Sequence, residues 1–406
     1  MRIFCTILFL LILHLSSWSQ KSITTSAPCT DSMAQNTKGR WVPNYDLATA
    51  VSKSQKLEAY NRVDILHNIL VKMFPVPVGV DVRVNRSAGN TYYGASRKYY
   101  FTKDSVLTFD YLNKLPIISF SYFANFSPHY CAHTNKGIVF TPGSKNENSD
   151  GIGILVNNLT GLANPPTGED WTINGQPVAM MSSMITEKWK GYEMYGDVRL
   201  NGRSILIHRP GMLPYIPVTR KQYLERCINQ TTRLYDKTIE WERNMPVRSL
   251  EEQEAEKKAK LAKFEKDFGK DPKRLKSAVD YYISGYKTDQ QIRDERVTSA
   301  IRLKEQELKK FTDELEKTSR EGLLDSPAVI RVMYDSNLIF DTDPKTGSML
   351  ITENPDYIRK DLSVHIPQLI IFKWKWSPDF YPAHKQIEKI FLQDFPIEKI
   401  QAMIDK

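Results

Sequence analysis

The densest grouping of chemistry-bearing side chains in this chain is Pro128-His129-Tyr130-Cys131-Ala132-His133. On an extended backbone, residues i, i+2 and i+4 point to one side. Two imidazoles and a thiol would then converge and supply most of a zinc coordination shell. The same grouping could lower the Cys131 pKa and make its thiolate a nucleophile. Either way His129, Cys131 and His133 define the alternative functional reading, a thiol- or metal-dependent hydrolase. A disulfide competes with both: Cys29 and Cys131 are the pair expected to bridge, and a bridged sulfur neither ligates nor attacks.

A second group lies where an apolar strand runs into a proline-rich crossing, Ile205-Leu-Ile-His208-Arg209-Pro through Pro217-Val-Thr-Arg220. If that connection is a site, His208, Arg209, Tyr215 and Arg220 line a ligand-binding edge; as a rigid strand-to-helix link it needs no ligand. Asp341-Thr-Asp343 ahead of Gly347 alternates carboxylates as calcium loops do. Lys345 stands where a third oxygen ligand is wanted and no closing glutamate follows, so this reads as a turn. Gly151-Ile-Gly153 has no phosphate-binding context, and no His-Glu-x-x-His, Gly-x-Ser-x-Gly or Walker loop occurs. No cofactor is expected.

The leader states where the chain works. Residues 1–19, MRIFCTILFLLILHLSSWS, carry Arg2, an apolar run too short to span a bilayer, and small residues at Ser17 and Ser19. Cleavage near Ser19/Gln20 and export to the periplasm or beyond are expected. After the leader no apolar run approaches the roughly 20 residues of a transmembrane helix. The 406-residue precursor is 41% hydrophobic and 25% charged, an ordinary globular composition. Its net charge of +9 is dispersed: from Ser249 to Glu321, 18 Lys or Arg face 17 Asp or Glu. Without a basic stripe nucleic acid is not the expected partner; a protein, an anionic envelope polymer or lipid headgroups are.

The elements that must position these groups follow from periodicity. Residues 20–45 lack it and read as a flexible tether, and 46–246 read as an α+β domain. Its helix over 53–74 has Leu57, Val63, Ile65, Leu66, Ile69, Leu70 and Met73 on one face. Strands follow near 80–84, 99–101, 106–111, 117–126, 138–141 and 152–156, and hairpin turns are expected at Asn174-Gly175 and Asn201-Gly202. Thr219 and Gln222 form a capping box that opens a long helix.

Residues 247–322 form a charged helical insertion with helices near 250–268, 272–285 and 289–321, opened by Ser249/Glu252, Asp271-Pro272 and Thr288/Gln291. In the last, Val297, Ile301, Leu308, Phe311 and Leu315 trace a heptad seam interrupted by Lys304. That seam must pack on neighbouring helices or on a second copy; in the second case 289–321 is the homo-oligomer contact. Strands and helices of 323–406 rejoin the domain. The fold class expected is α+β: an antiparallel β-meander flanked by helices, with an inserted helical hairpin or coiled-coil arm. With no catalytic motif in view, the expectation is a non-catalytic binding protein of the bacterial cell envelope.

Overall fold

The structure, a computed structural model, describes residues 29–46, 52–91, 97–101, 107–111, 117–135, 137–141, 150–164, 172–173, 176–196, 202–331, 339–341 and 347–406. The leader, residues 20–28, the Asn174-Gly175 turn and the Asp343–Lys345 turn lie outside them. The fold is α+β, in two compact units: Met1–Pro217 with Val329–Lys406, and Val218–Ala328.

In chain order the first unit begins with α1 (Asp31–Asn36), β1 (Trp41–Asp46), α2 (Lys53–Met73), β2 (Val80–Thr91), β3 (Arg97–Phe101), β4 (Leu107–Tyr111) and β5 (Ile117–Pro128). It continues with β6 (Tyr130–Thr134), β7 (Gly137–Thr141), β8 (Gly151–Val156), β9 (Ala163–Asn164), β10 (Thr172–Ile173), β11 (Gln176–Met181) and β12 (Met184–Trp189). Then come β13 (Tyr192–Tyr195), β14 (Gly202–His208) and β15 (Tyr215–Pro217). The helical unit supplies α3 (Arg220–Arg243), α4 (Leu250–Phe268), α5 (Pro272–Gly285) and α6 (Asp289–Arg320). The chain closes with β16 (Val329–Arg331), β17 (Gly347–Glu353), β18 (Leu369–Lys375), α7 (Pro382–Asp394) and α8 (Ile397–Gln401).

The main sheet has the order β1-β2-β5-β8-β18-β14-β13-β12. Every pairing in it is antiparallel except β1–β2, which is parallel and is bridged by α2. The late strand β18 lies between β8 and β14, so the chain after the helical insertion returns to the interior of the sheet rather than to its rim. Burial on both faces explains the unbroken apolar run Leu369-Ile-Ile-Phe372. Ile370, Phe372 and Trp374, with Trp376 beyond, pack on Val63, Leu66 and Leu70 of α2, Phe391 of α7 and Ile400 of α8. Leu369 and Ile371 point the other way, into a second core with Met181 of β11, Tyr215 of β15 and Ile351 of β17. Those strands form a smaller sheet, β10-β11-β17-β15, so the unit is layered helix, large sheet, small sheet.

Two expectations are corrected here. The tether of 20–45 is shorter, because Thr30 caps α1, Cys29 is disulfide-bonded, and β1 adds to the sheet. Trp41 also anchors it by donating from Nε1 to the Phe74 carbonyl at 3.0 Å. Gly202 is no turn residue: it pairs with Lys375 as the first residue of β14.

The helical unit begins at Val218, not at 247, because α3 is its first helix. Helices α3 and α6 run antiparallel: Arg220 N–H donates to Ser326 O at 2.9 Å, Lys304 Nζ sits 2.6 Å from Asp236, and Arg296 lies 3.7 Å from Glu242. Leu224, Cys227 and Ile239 of α3 and Ala300 of α6 are buried. The stripe thus packs on a neighbouring helix, α3, the first of its two expected partners, and the lysine that interrupts it is answered by Asp236. Helices α4 and α5 form a hairpin, with Phe264 edge-on to Tyr282 at 5.7 Å and Lys257 over the Tyr286 ring at 4.6 Å. At its base Arg248 forks onto Asp289 at 2.8 and 2.9 Å, and buried Gln253 ties Arg248 O to Asp289 N–H.

Candidate functional site

The group singled out around Cys131 does not form a metal or thiol centre. Cys29 and Cys131 are joined by a disulfide across 102 residues of sequence, which removes the thiolate that both the zinc and the nucleophile readings need. The strand is also broken at the critical position: β5 ends at Pro128 and β6 begins at Tyr130, with His129 between them. His129 faces another way. Its Nε2 lies 3.1 Å from Asp81 Oδ1, its backbone N–H donates to Gly79 O at 2.7 Å, and only 6% of it is exposed. Burial would raise the Asp81 pKa, but the His129 bond and charge, with the Arg40 N–H and charge, outweigh it and hold the carboxyl below its ordinary value. His133 continues β6, paired with Ile138. Among the described residues no group of three His, Cys, Asp or Glu is disposed to hold a metal ion.

A second carboxylate–imidazole pair lies close by on the other side of β5. Asp150 Oδ2 is 3.5 Å from His384 Nδ1, Lys375 Nζ is 3.5 Å from Asp150 Oδ1, and His384 Nε2 donates to Phe126 O at 2.8 Å. For Asp150 too, the upward pull of burial is outweighed, here by hydrogen bonds from His384 and Ser377 and by the charges of His384 and Lys375. A buried acid–base pair can relay protons, but His384 is fully enclosed beneath Trp376 and Tyr381. This arrangement ties α7 to the sheet. Nothing in the spacing of residues 150 and 384 signals it.

The four residues of the proline-rich crossing are not brought together. Arg209 is a clamp: Nε and Nη2 grip Asp405 at 2.6 and 2.9 Å, Nη1 donates to Tyr357 O at 3.1 Å, and the guanidinium stacks on the Tyr357 ring at 5.0 Å. His208 donates from Nδ1 to the carbonyls of Arg209 and Met212 at 2.8 and 3.0 Å, closing the turn. Tyr215 is buried beside Tyr195, and its hydroxyl pKa is raised by that burial. Arg220 belongs to the helical unit. Next to the clamp, buried Asn157 adopts a left-handed φ of 54° and bonds the chain at Ile118 O, Ile366 O and Gln368 N–H. The crossing is a locked connection.

One further group in the large sheet stands out chemically. Lys373 projects from β18, half-buried, with its ammonium 4.6 Å from the Phe123 ring centre and its pKa lowered by desolvation. Phe123 reaches that position by lying over Gly153, where a Cβ would meet its ring at 2.1 Å. The contact fills the face of the sheet across three strands rather than opening a cleft.

The helical unit leaves a larger share of its big apolar side chains exposed, although Phe380, Leu57 and Val76 of the sheet unit are exposed as well. Tyr281 is 83% exposed, Leu250 68%, Leu234 61%, Trp241 57% and Ile283 50%. A shallow depression lined by Lys273, Lys276, Ser277, Asp280, Tyr281 and Ser284 lies on the outer face of α5. No helix among the described residues is long and apolar enough to cross a membrane. Comparison with protein-family models, with curated proteins and with solved structures finds no match.

Proposed function

We propose that the chain is an exported, non-catalytic interaction protein of the bacterial envelope, and that its contact element is the helical unit Val218–Ala328. The observation that carries this is the set of large apolar and aromatic side chains left at half exposure or more on a unit whose helices are already paired, α3 with α6 and α4 with α5. Isolated exposed leucines are ordinary; five such side chains on the smaller unit, against Phe380, Leu57 and Val76 on the larger one among the described residues, favour the helical unit as the contact element. Supporting it, the side chains best suited to chemistry in the sheet unit are held in bonds that serve the framework: Cys131 to Cys29, His129 to Asp81, Arg209 to Asp405. The disulfide also fits an oxidising compartment, as export requires.

The test replaces residues 247–287 by a short flexible loop joining α3 to α6, which are already neighbours. Purified mature protein is then co-sedimented with bacterial envelope fragments. The full-length protein is expected in the pellet. The loop variant, checked for an unchanged tryptophan emission spectrum, is expected in the supernatant. Equal sedimentation of the two, or of neither, would overturn the proposal.

A further inference from the structure

The near-neutrality of the helical insertion hides a separation of charge along the α4–α5 hairpin. Glu251, Glu252, Glu254 and Glu256 crowd its base, where Arg248 and the Ser249 cap use part of their charge. Toward the far end the sign reverses: between Lys257 and Lys276, nine Lys or Arg stand against three Asp or Glu. Lys258, Lys263 and Lys266 on α4, Lys270 in the connection, and Lys273 and Lys276 on α5 are all exposed. Two of the other cations pair locally, Lys257 with Glu254 at 3.8 Å and Arg274 with Asp271 at 3.6 Å; those six make no ion pair among the described residues.

We infer that this end of the hairpin docks on the anionic phospholipid headgroups of a bilayer surface; the inference rests on the reading of the helical unit as the contact element. Shape selects the ligand. A single polyanionic strand is bound along a continuous cationic track or groove. Here the cations surround a blunt helix-turn-helix end, so they meet a flat sheet of negative charge together. Clusters of four to eight Lys or Arg on a helical surface have that affinity. The exposed face lacks a broad apolar stripe, so attachment is electrostatic and peripheral.

The experiment uses the full-length mature protein and floating vesicles, either pure phosphatidylcholine or with about a third phosphatidylglycerol, a strongly anionic surface. The protein is expected to float with the anionic vesicles only. Raising salt from about 0.1 M to about 1 M, which cuts the Debye length from about 10 Å to 3 Å, should release it. A K263Q/K266Q/K273Q/K276Q variant, with helix content verified by circular dichroism, should bind about 10²- to 10³-fold more weakly. Equal binding to neutral vesicles, or undiminished binding by the variant, would overturn the inference. So would retention on heparin or an oligonucleotide without flotation, which would show that the cations read a polymer. If envelope co-sedimentation still requires the hairpin while flotation fails, the lipid assignment falls and the broader contact role stands.

Discussion

Removing the Cys29–Cys131 bridge by C29S/C131S should cost the sheet unit much of its stability, and the size of the loss follows from where the bridge lies. It closes a loop across 102 residues that contains α1, α2 and β1 to β5. In the chain-entropy treatment, a loop of about 100 residues is worth about 4.7 kcal/mol through the unfolded state, and native bridges typically deliver 2–5. The contacts that hold the N-terminal segment otherwise remain: Arg40 N–H on Asp81, Trp41 on Phe74 O, and the β1–β2 ladder. The native fold should therefore persist with a loss of about 4 kcal/mol. Urea unfolding followed by tryptophan emission reads this unit, because Trp189, Trp374 and Trp376 are buried in its core. With a urea m-value of about 3 kcal/mol/M, the midpoint should fall by rather more than 1 M. Dithiothreitol should reproduce the shift in the unaltered protein and leave the variant unchanged. Without reductant, the unfolded mature protein should expose a single thiol, that of Cys227, buried in the native state. A midpoint shift below about 0.3 M, under 1 kcal/mol at that slope, would refute the reasoning.

Two further outcomes follow from single side chains. Arg209→Ala should lower stability by about 2 kcal/mol, since it breaks a two-pronged charge-assisted pair and leaves Asp405 without its partner. Arg209→Lys should recover little because an ammonium cannot span both carboxylate oxygens, and urea midpoints of the two variants check this. His67 predicts a pH effect: burial and the charge of Arg86 lower its pKa below 6.5, with Asp64 opposing weakly. The unfolded chain then takes up that proton first, so stability should decline as pH falls below about 6.5, whereas Asp81 and Asp150 withdraw their contributions only below about pH 4. His67→Gln should flatten the thermal-midpoint profile between those two regions, and an unchanged slope would contradict the assignment.

What the amino-acid order revealed, and what it concealed, divides by sequence distance. Helix ends were legible because caps are local: Ser249 with Glu252 and Thr288 with Gln291 each close within four residues, and the helices begin where those boxes put them. Strand parity was legible on β18 because alternation is local, which set Phe372 and Trp374 on one face and Lys373 on the other. The site was misjudged for the same reason. A His-x-Cys-x-His spacing speaks for convergence only on an uninterrupted strand, and the interruption at His129 comes from Gly79, Asp81 and Cys29, residues far from it in sequence. Likewise Lys304 looked like a defect in an apolar seam until Asp236, on the partner helix, came into range.

These cases share a cause. A lone histidine, cysteine or arginine advertises reactivity in the sequence, while its partner lies about 50 to 230 residues away; for polar groups folding brings the two together because a buried unpaired polar group costs about 1–3 kcal/mol. Arg209 with Asp405 and Asp150 with His384 meet that requirement, and Cys131 is consumed covalently by Cys29. Exposed lysines face no such demand, since water already solvates them. A charge cluster that survives folding unpaired, as at the far end of the α4–α5 hairpin, is therefore a better guide to contact than a reactive motif that folding has consumed.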